Sequence, residues 1–418
     1  MTGASPGNDG VPVILSEDEA ADEALFPQDR VCPFSPPPGY APLRNQRPLG
    51  RVTLHDGRSA WIVTENTTAR ALLTDSRLSV DRGRAGFPFP SAELAGNSRR
   101  GAPLIGTDGD RHNIQRRAVI PAFTHKRITA LRPKIQRTVD RYLDRMTEKG
   151  PGAELVSEFA LPVASTMICE LLGVPHEDQD WLEEQSRRLL RGPLPDDGAD
   201  ARVQLEHYFD RLVDRKDAEL GGGLLDAFVR RQVEGALDRG EVVGMAIVLL
   251  VAGHETTADM ISLGTFALLQ HSDLLEELLS DVGLFTTAVD ELLRFLSVAD
   301  GMLRVATESI DIAGQTIHPE EGVIFANSLI NRDEGNYSDP DRLAWNRPTQ
   351  NHLAFGHGIH QCLGQNLARA EMEIAFRSLF ARLPGLRLAV PADRIPLKTG
   401  YTIQGVRSLP VTWSPPRP

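Results

Sequence analysis

Apolar positions fall with helical spacing over residues 127–147, 159–172, 286–296 and 363–379, which predicts amphipathic helices there. From about 242 to 270 the pattern changes. Residues 242–252 are apolar on every side, as expected of a helix buried all round. Gly253-His254-Glu255-Thr256-Thr257 then interrupts that pattern. Glycine costs about 1 kcal/mol against alanine inside a helix, and threonine is a mediocre helix former. An unpaired buried carboxylate would be expensive. A stretch that breaks local rules inside a core element points to function.

Period-two stretches are short. Residues 51–54 and 60–63 flank the turn pair Asp56-Gly57 and predict a hairpin, followed by a helix over 65–74. Further hairpins are expected over 310–317 and 402–413. Residues 82–106 are rich in Gly, Pro, Ser and Arg without a period and predict a long loop. Breaks between helices fall at 192–200, at Gly221-Gly222-Gly223 and at Asp238-Arg239-Gly240. Residues 1–30 are acidic and bear Pro and Gly, so a flexible N-terminal arm is expected there. No inter-domain linker divides 31–418, which reads as a single mainly α domain with a smaller β region, despite a length that would allow two or three.

Composition narrows the function. The chain has 418 residues, 41% hydrophobic and 24% charged, and a net charge of −12, which argues against nucleic-acid binding. Its three cysteines, Cys32, Cys169 and Cys362, show neither metal-ligand nor disulfide spacing, which suits a reducing cytoplasm. The first residues lack the basic and apolar regions of a signal peptide, and no uninterrupted apolar run reaches the ~18 residues of a membrane span.

Phe355-Gly356-His357-Gly358-Ile359-His360-Gln361-Cys362-Leu363-Gly364 sets one cysteine in a glycine-rich run just before a predicted helix. A helix N-terminus favours an anion and lowers a thiol's pKa. Glycines let the backbone pass close to something flat and bulky. Together these suggest an axial sulfur on haem iron. The competing reading is a buried, inert cysteine beside a turn. Phe355, Gly358, Cys362 and Gly364 fill Phe-x-x-Gly-x-x-x-Cys-x-Gly, which resembles the haem-binding signature of the cytochrome P-450 family. In that family the thiolate pushes electron density toward O–O cleavage.

That resemblance extends over about 31–413 and implies roles for further residues. Ala252-Gly253-His254-Glu255-Thr256-Thr257 is similar to the family's oxygen-activation motif. It implies Thr256 and Glu255 as catalytic proton-delivery residues, with Ala252 and Gly253 beside the cofactor. A threonine bonding back to the preceding turn is the plainer account of Thr256, and both can hold. His112 and Arg116, four apart on one helix face, resemble the family's propionate-binding pair. Arg304 and His360 match further propionate positions, and Phe355 and Gly364 cofactor contacts. Glu291 and Arg294 look like the family's structural ion pair. Candidate substrate contacts are Phe87, Val248, Val251, Ala299, Met302 and Ile403. For Phe87 and Phe89 the alternative is two loop aromatics packed on the body.

The implied activity is monooxygenation of a large, mostly apolar small molecule, by C–H hydroxylation or alkene epoxidation, on haem b. The implied enzyme is a cytoplasmic monomer without a membrane anchor, of the soluble bacterial branch that oxidises macrolides, other polyketides, and steroid- or vitamin D-like compounds. Oxidative ring closure or coupling is the alternative, followed by a non-catalytic haem carrier or sensor and a cysteine hydrolase. No strand-leading G-x-G-x-x-G is present, so electrons are expected from a separate ferredoxin and its reductase, docking near Arg111, Arg117 and Arg369.

Overall fold

A computed structural model describes residues 24–98, 102–191, 197–218, 221–349, 351–400 and 402–414. The expected arm therefore lies mostly outside the described residues, as does 192–196 of the expected inter-helix break. Its last part is not an arm. Ala24–Leu25 adds a parallel strand to Leu49–Thr53, Phe26 is 2% exposed, and Arg30 donates to Leu296 O at 2.7 Å and Ser297 O at 3.1 Å. Buried backbone carbonyls that need donors hold this segment against the body.

The β region centres on a six-stranded sheet. Leu49–Thr53 and Ser59–Val63 pair antiparallel around Asp56-Gly57, as the sequence predicts. Ser59–Val63 continues parallel into Gly322–Phe325, which pairs antiparallel with Met302–Ala306. Ala60, Trp61, Ile62 and Val63 are all buried, because helices and loops cover both faces of this strand.

The helical region is built around Arg239–Gln270. Asp238 and Glu241 form a reciprocal capping box at its start, each side chain accepting the other's backbone N–H. The helix runs unbroken through Gly253-His254-Glu255-Thr256-Thr257, so the expected interruption is chemical and not geometric. It is long and apolar enough to cross a membrane, but it is the buried core helix of the fold. Close packing needs small residues at two points. A Cβ on Gly264 would lie 2.4 Å from Phe376 Cζ, and one on Gly253 3.1 Å from Ile168 Cδ1. Thus Leu161–Leu172 and Gln365–Arg382 approach the central helix closely on different sides.

The expected loop over 82–106 contains a helix, Ala92–Ser98. Phe87 is not a pocket-wall residue. It is 3% exposed, lies 4.8 Å from Phe89 between ring centroids and clusters with Val305, so packing on the sheet explains both aromatics.

Candidate active site

Cys362 lies between a 3-10 turn, Gly358–His360, and the helix Gln365–Arg382. The Cys362 N–H donates to Phe355 O at 2.9 Å and that of Gln361 to Gly358 O at 3.0 Å, folding the loop back on itself. Gly358 is required twice over. Its φ is +74°, and a Cβ there would lie 2.5 Å from Leu73 O. The glycine thus fits the loop to the protein's own backbone.

The sulfur is accessible, yet protein surrounds it so closely that burial pushes the thiol's pKa up. The Gly364 and Gln365 N–H groups and the charges of Arg116 and Arg369 pull it down, but they do not prevail. The expected lowering by the helix N-terminus is present and outweighed.

Cationic and donor groups gather beside this loop with few anions to answer them. Arg116 Nη2 donates to Gln361 O at 2.7 Å, and burial lowers its pKa. Arg304 donates to Leu303 O at 2.8 Å and is pushed down to about 10, by burial first. Among the described residues neither guanidinium has a carboxylate in ion-pair contact. His112 is 1% exposed, its ring 4.1 Å from that of His360, and its Nδ1 has no hydrogen-bond partner. Burial, then the charges of His360 and Arg116, push it down to about 4. His360 contacts Asp108 Oδ1 at 3.3 Å, and Asp108 also accepts from Ser79 Oγ at 2.5 Å. Burial alone would raise the Asp108 pKa, but these bonds hold it below the usual carboxylate range.

On the central helix one stripe escapes burial. Val248, Val251 and Thr256 are half-buried and Ala252 is exposed, whereas Leu249, Leu250, His254, Glu255 and Thr257 are buried. Their spacing puts the accessible residues on one helix face. Thr256 Oγ1 donates to Ala252 O at 2.8 Å, the back-bond weighed from sequence. Gly253, three residues before Thr256, is half-buried as well. A Cβ there would lie 3.1 Å from Ile168 Cδ1, so close helix packing also calls for a small residue at this position.

Ala299, Met302 and Ile403 are also half-buried, and the backbone brings them together. Ala299 bridges Ile403 antiparallel, Asp300 N–H donates to Thr402 O and Gln404 N–H to Val298 O, both at 2.8 Å. Behind the site, Glu291 and Arg294 are fully buried and joined by bonds of 2.7 and 2.8 Å. Arg294 also donates to Asn331 O and Pro340 O, while Arg347 Nε reaches Glu291 at 3.2 Å. The pair is thus the anchor for residues 331–347.

Arg111 and Arg369 do not offer free charge for a partner. Arg111 is bonded to Glu241 and to Ala236 O. Arg369 pairs with Asp290 at 2.7 Å and stacks 4.6 Å from the Phe355 ring centroid. Sequence reasoning missed Asp108, Asp259, Arg347 and Lys398. Asp259 had a local signal, lying one turn after Glu255. Lys398 had none, since its contacts span more than a hundred residues.

The residues present fit a haem. Cys362 offers an accessible sulfur. Arg116, Arg304 and His112 offer donors for two carboxylates, and the open stripe at Ala252 and Thr256 leaves a small-residue wall.

A family model described as Cytochrome P450 matches residues 181–384. The chain is 59% identical over 389 residues to pentalenic acid synthase of Streptomyces avermitilis, covering 93% of this chain and 97% of that one. It is 46% identical to vitamin D3 dihydroxylase of Streptomyces griseolus over 94% and 98% of the two chains. The crystal structure of cytochrome P450 MoxA from Nonomuraea recticatena matches with a TM-score of 0.87 at 43% identity, over 94% and 99%. With a cysteine loop, cationic cradle and central helix in one fold with these relatives, the chain belongs to the cytochrome P450 family and is an oxidoreductase, a haem-thiolate monooxygenase.

Proposed function

We propose that this enzyme inserts one oxygen atom from O2 into a C–H bond, or epoxidises an alkene, of a large and mostly apolar small molecule of secondary metabolism, of polyketide or macrolide type. The observation that carries the reading is the accessible Cys362 beside Arg116 and Arg304, guanidiniums with no carboxylate in ion-pair contact among the described residues. Haem b would be held at Cys362, with Arg116, Arg304, His112 and His360 at its carboxylates and Ala252, Phe355 and Gly364 along its faces. No Cys-x-x-Cys-His motif for covalent attachment is present. Bound there, the cofactor supplies O2 activation, aided by the electron push of the thiolate.

The chain's own residues orient substrate and move protons. Val248, Val251, Ala252, Ala299, Met302 and Ile403 form an apolar wall, which excludes water and favours an apolar ligand. Thr256 Oγ1 can turn from Ala252 O to donate toward O2, since a hydroxyl both donates and accepts. Glu255, the next residue back and 6% exposed, is the carboxyl that renews that proton.

Electrons come from a ferredoxin and its reductase. Arg117 follows Arg116, which touches the cysteine loop, and lines a groove of about 570 Å3 with Arg127, Arg230 and Arg231. This basic groove supports docking of an acidic ferredoxin. All three cysteines are free thiols, which suits a cytoplasmic monomer.

The test is spectroscopic. Protein purified from iron-replete cells should be coloured and, when reduced under carbon monoxide, give the red-shifted band of a thiolate-ligated haem. Cys362→Ser should lose that band. Colourless protein that takes up no porphyrin overturns the reading. Product heavier by one oxygen supports hydroxylation or epoxidation, whereas loss of two hydrogens supports ring closure.

A further inference from the structure

Glu255 and Asp259 sit one turn apart on the central helix and are 6% and 1% exposed. Like charges at this spacing repel, more strongly in a low-dielectric interior than in water. One ammonium reaches both. Lys398 Nζ lies 3.2 Å from Glu255 Oε1 and 2.5 Å from Asp259 Oδ1, and Lys398 is 8% exposed. Buried lysines are rare unless paired, and breaking such a set strands a charge.

Lys398 stands on the same segment that walls the pocket. Its N–H donates to Gly405 O at 2.9 Å, and Leu397 bridges Val406 antiparallel. A Cβ on Gly405 would lie 2.3 Å from Asp259 Oδ1, so the carboxylate is packed against this turn's backbone. Between these residues lies Ile403, bridged to Ala299. A counter-ion of the buried carboxylates and a wall of the substrate pocket are thus carried by one short loop.

We infer that Lys398 is a positioning residue, whose ammonium fixes the place and the ionisation of the Glu255 carboxylate and ties it to the substrate wall at Ile403. The inference rests on Glu255 as the proton-renewing carboxyl of the reading above. Without the ammonium, two buried carboxylates would share one site, and one of them would take up a proton. With it, the Glu255 side chain is held in place beside Thr256. Movement of the Ile403 loop on substrate binding would move the ammonium with it.

Other charged and titratable groups stand on this helix and on the elements packed against it. His254 precedes Glu255 on the helix itself. Glu170 pairs with Lys134, Glu158 with Lys149, Asp226 with Lys216, Asp210 and Asp214 with Arg239, Glu291 with Arg294, and Asp290 with Arg369. Cys169 is kept a neutral thiol by burial, pushed up to about 12, and burial likewise raises Glu371.

The test is an infrared pH titration of the ferric holoenzyme. The carboxyl band that vanishes in Glu255→Gln reports Glu255. In Lys398→Met that band should titrate at higher pH, by about one to three units. Lys398→Arg should return it near its original position. The pH at which electrons from NADPH divert to peroxide should move with it in Lys398→Met. An unmoved Glu255 titration in folded Lys398→Met overturns the inference. Should Lys398→Met fail to fold, Asp259→Asn carries the same judgement. With the ammonium then serving Glu255 alone, its titration should move to lower pH, and an unmoved one overturns the inference. Glu255→Gln tests the underlying reading separately. If that variant stays coupled at every pH, proton delivery through Glu255 is wrong, while the infrared shift still decides for or against Lys398.

Discussion

Thr256 makes the same hydrogen bond that an ordinary helical threonine makes, so its role rests on where it stands. It lies on the accessible stripe, whereas Thr257 beside it is buried. Thr256→Ala should therefore leave haem and substrate binding intact and send most electrons to peroxide, with product per electron down by about tenfold or more, as removal of a positioned proton donor implies. Coupled oxygen and peroxide assays check this. Full coupling would remove Thr256 from proton delivery, unless the substrate brings its own hydroxyl. Arg304 is argued differently. A guanidinium pushed down to about 10 by burial, without a carboxylate in contact, is under-compensated until an anion arrives. A charge-assisted bond is worth about 1.5–3 kcal/mol. Arg304→Leu should thus speed haem loss by about ten- to a hundredfold, measured by transfer to a haem scavenger. Both residues were legible in the sequence because their motifs are local. Lys398 was not, because nothing near a lysine in sequence tells that it will meet two carboxylates of a distant helix.

Elements decide how firmly these side chains are held. Glu291 and Arg294 have no accessible surface, and Arg294 also satisfies carbonyls of residues 331 and 340. Removing one partner strands the other charge, so Glu291→Ala should cost about 3–5 kcal/mol of stability by denaturant titration. The cysteine loop offers a sharper contrast. Gly358→Ala would force an alanine to φ +74° and drive its Cβ into Leu73 O. Gly314, at φ +76°, has nothing within 4 Å. Each alanine loses about 1–2 kcal/mol to its backbone conformation. Only Gly358→Ala should also displace the cysteine and lower the haem bound per protein, while Gly314→Ala keeps full content. Helices with strong periods, and the hairpins at Asp56-Gly57 and over 310–317, were placed from the sequence to within a few residues. The hairpin expected over 402–413 does not form: Pro410–Thr412 pairs with Arg387–Leu388 and Ala153–Glu154, and Ile403 bridges Ala299. The helix at Ala92–Ser98 was missed because its short run of small and polar residues, with Leu94 as the one large apolar side chain, has no apolar stripe to mark it. The central helix expected over about 242–270 is one continuous helix, and packing against Ile168 supplies what Gly253 lacks in propensity.

At the scale of the whole molecule, a net charge of −12 coexists with a concentrated basic surface. Counting arginines along the sequence pointed to Arg111, Arg117 and Arg369 for ferredoxin docking. The fold spends two of these internally, on Glu241 and Asp290. Arg117 has no such partner among the described residues, and the groove adds Arg127, Arg230 and Arg231 against one carboxylate, Glu234. Ile359, 57% exposed in the cysteine loop, offers apolar contact near the same loop. Charges on such a surface act mainly on encounter, and salt screens them beyond about 10 Å at 0.1 M. Reversing Arg117 and Arg127 together, as Arg117→Glu with Arg127→Glu, should slow reduction by an acidic ferredoxin several-fold at low salt. The deficit should shrink as salt rises. Arg111→Gln should show little salt-dependent change, because its charge is already answered by Glu241. Stopped-flow reduction over a salt series separates the two. Equal behaviour of the variants, or reduction unaffected by the double reversal, would move the docking surface elsewhere on the protein.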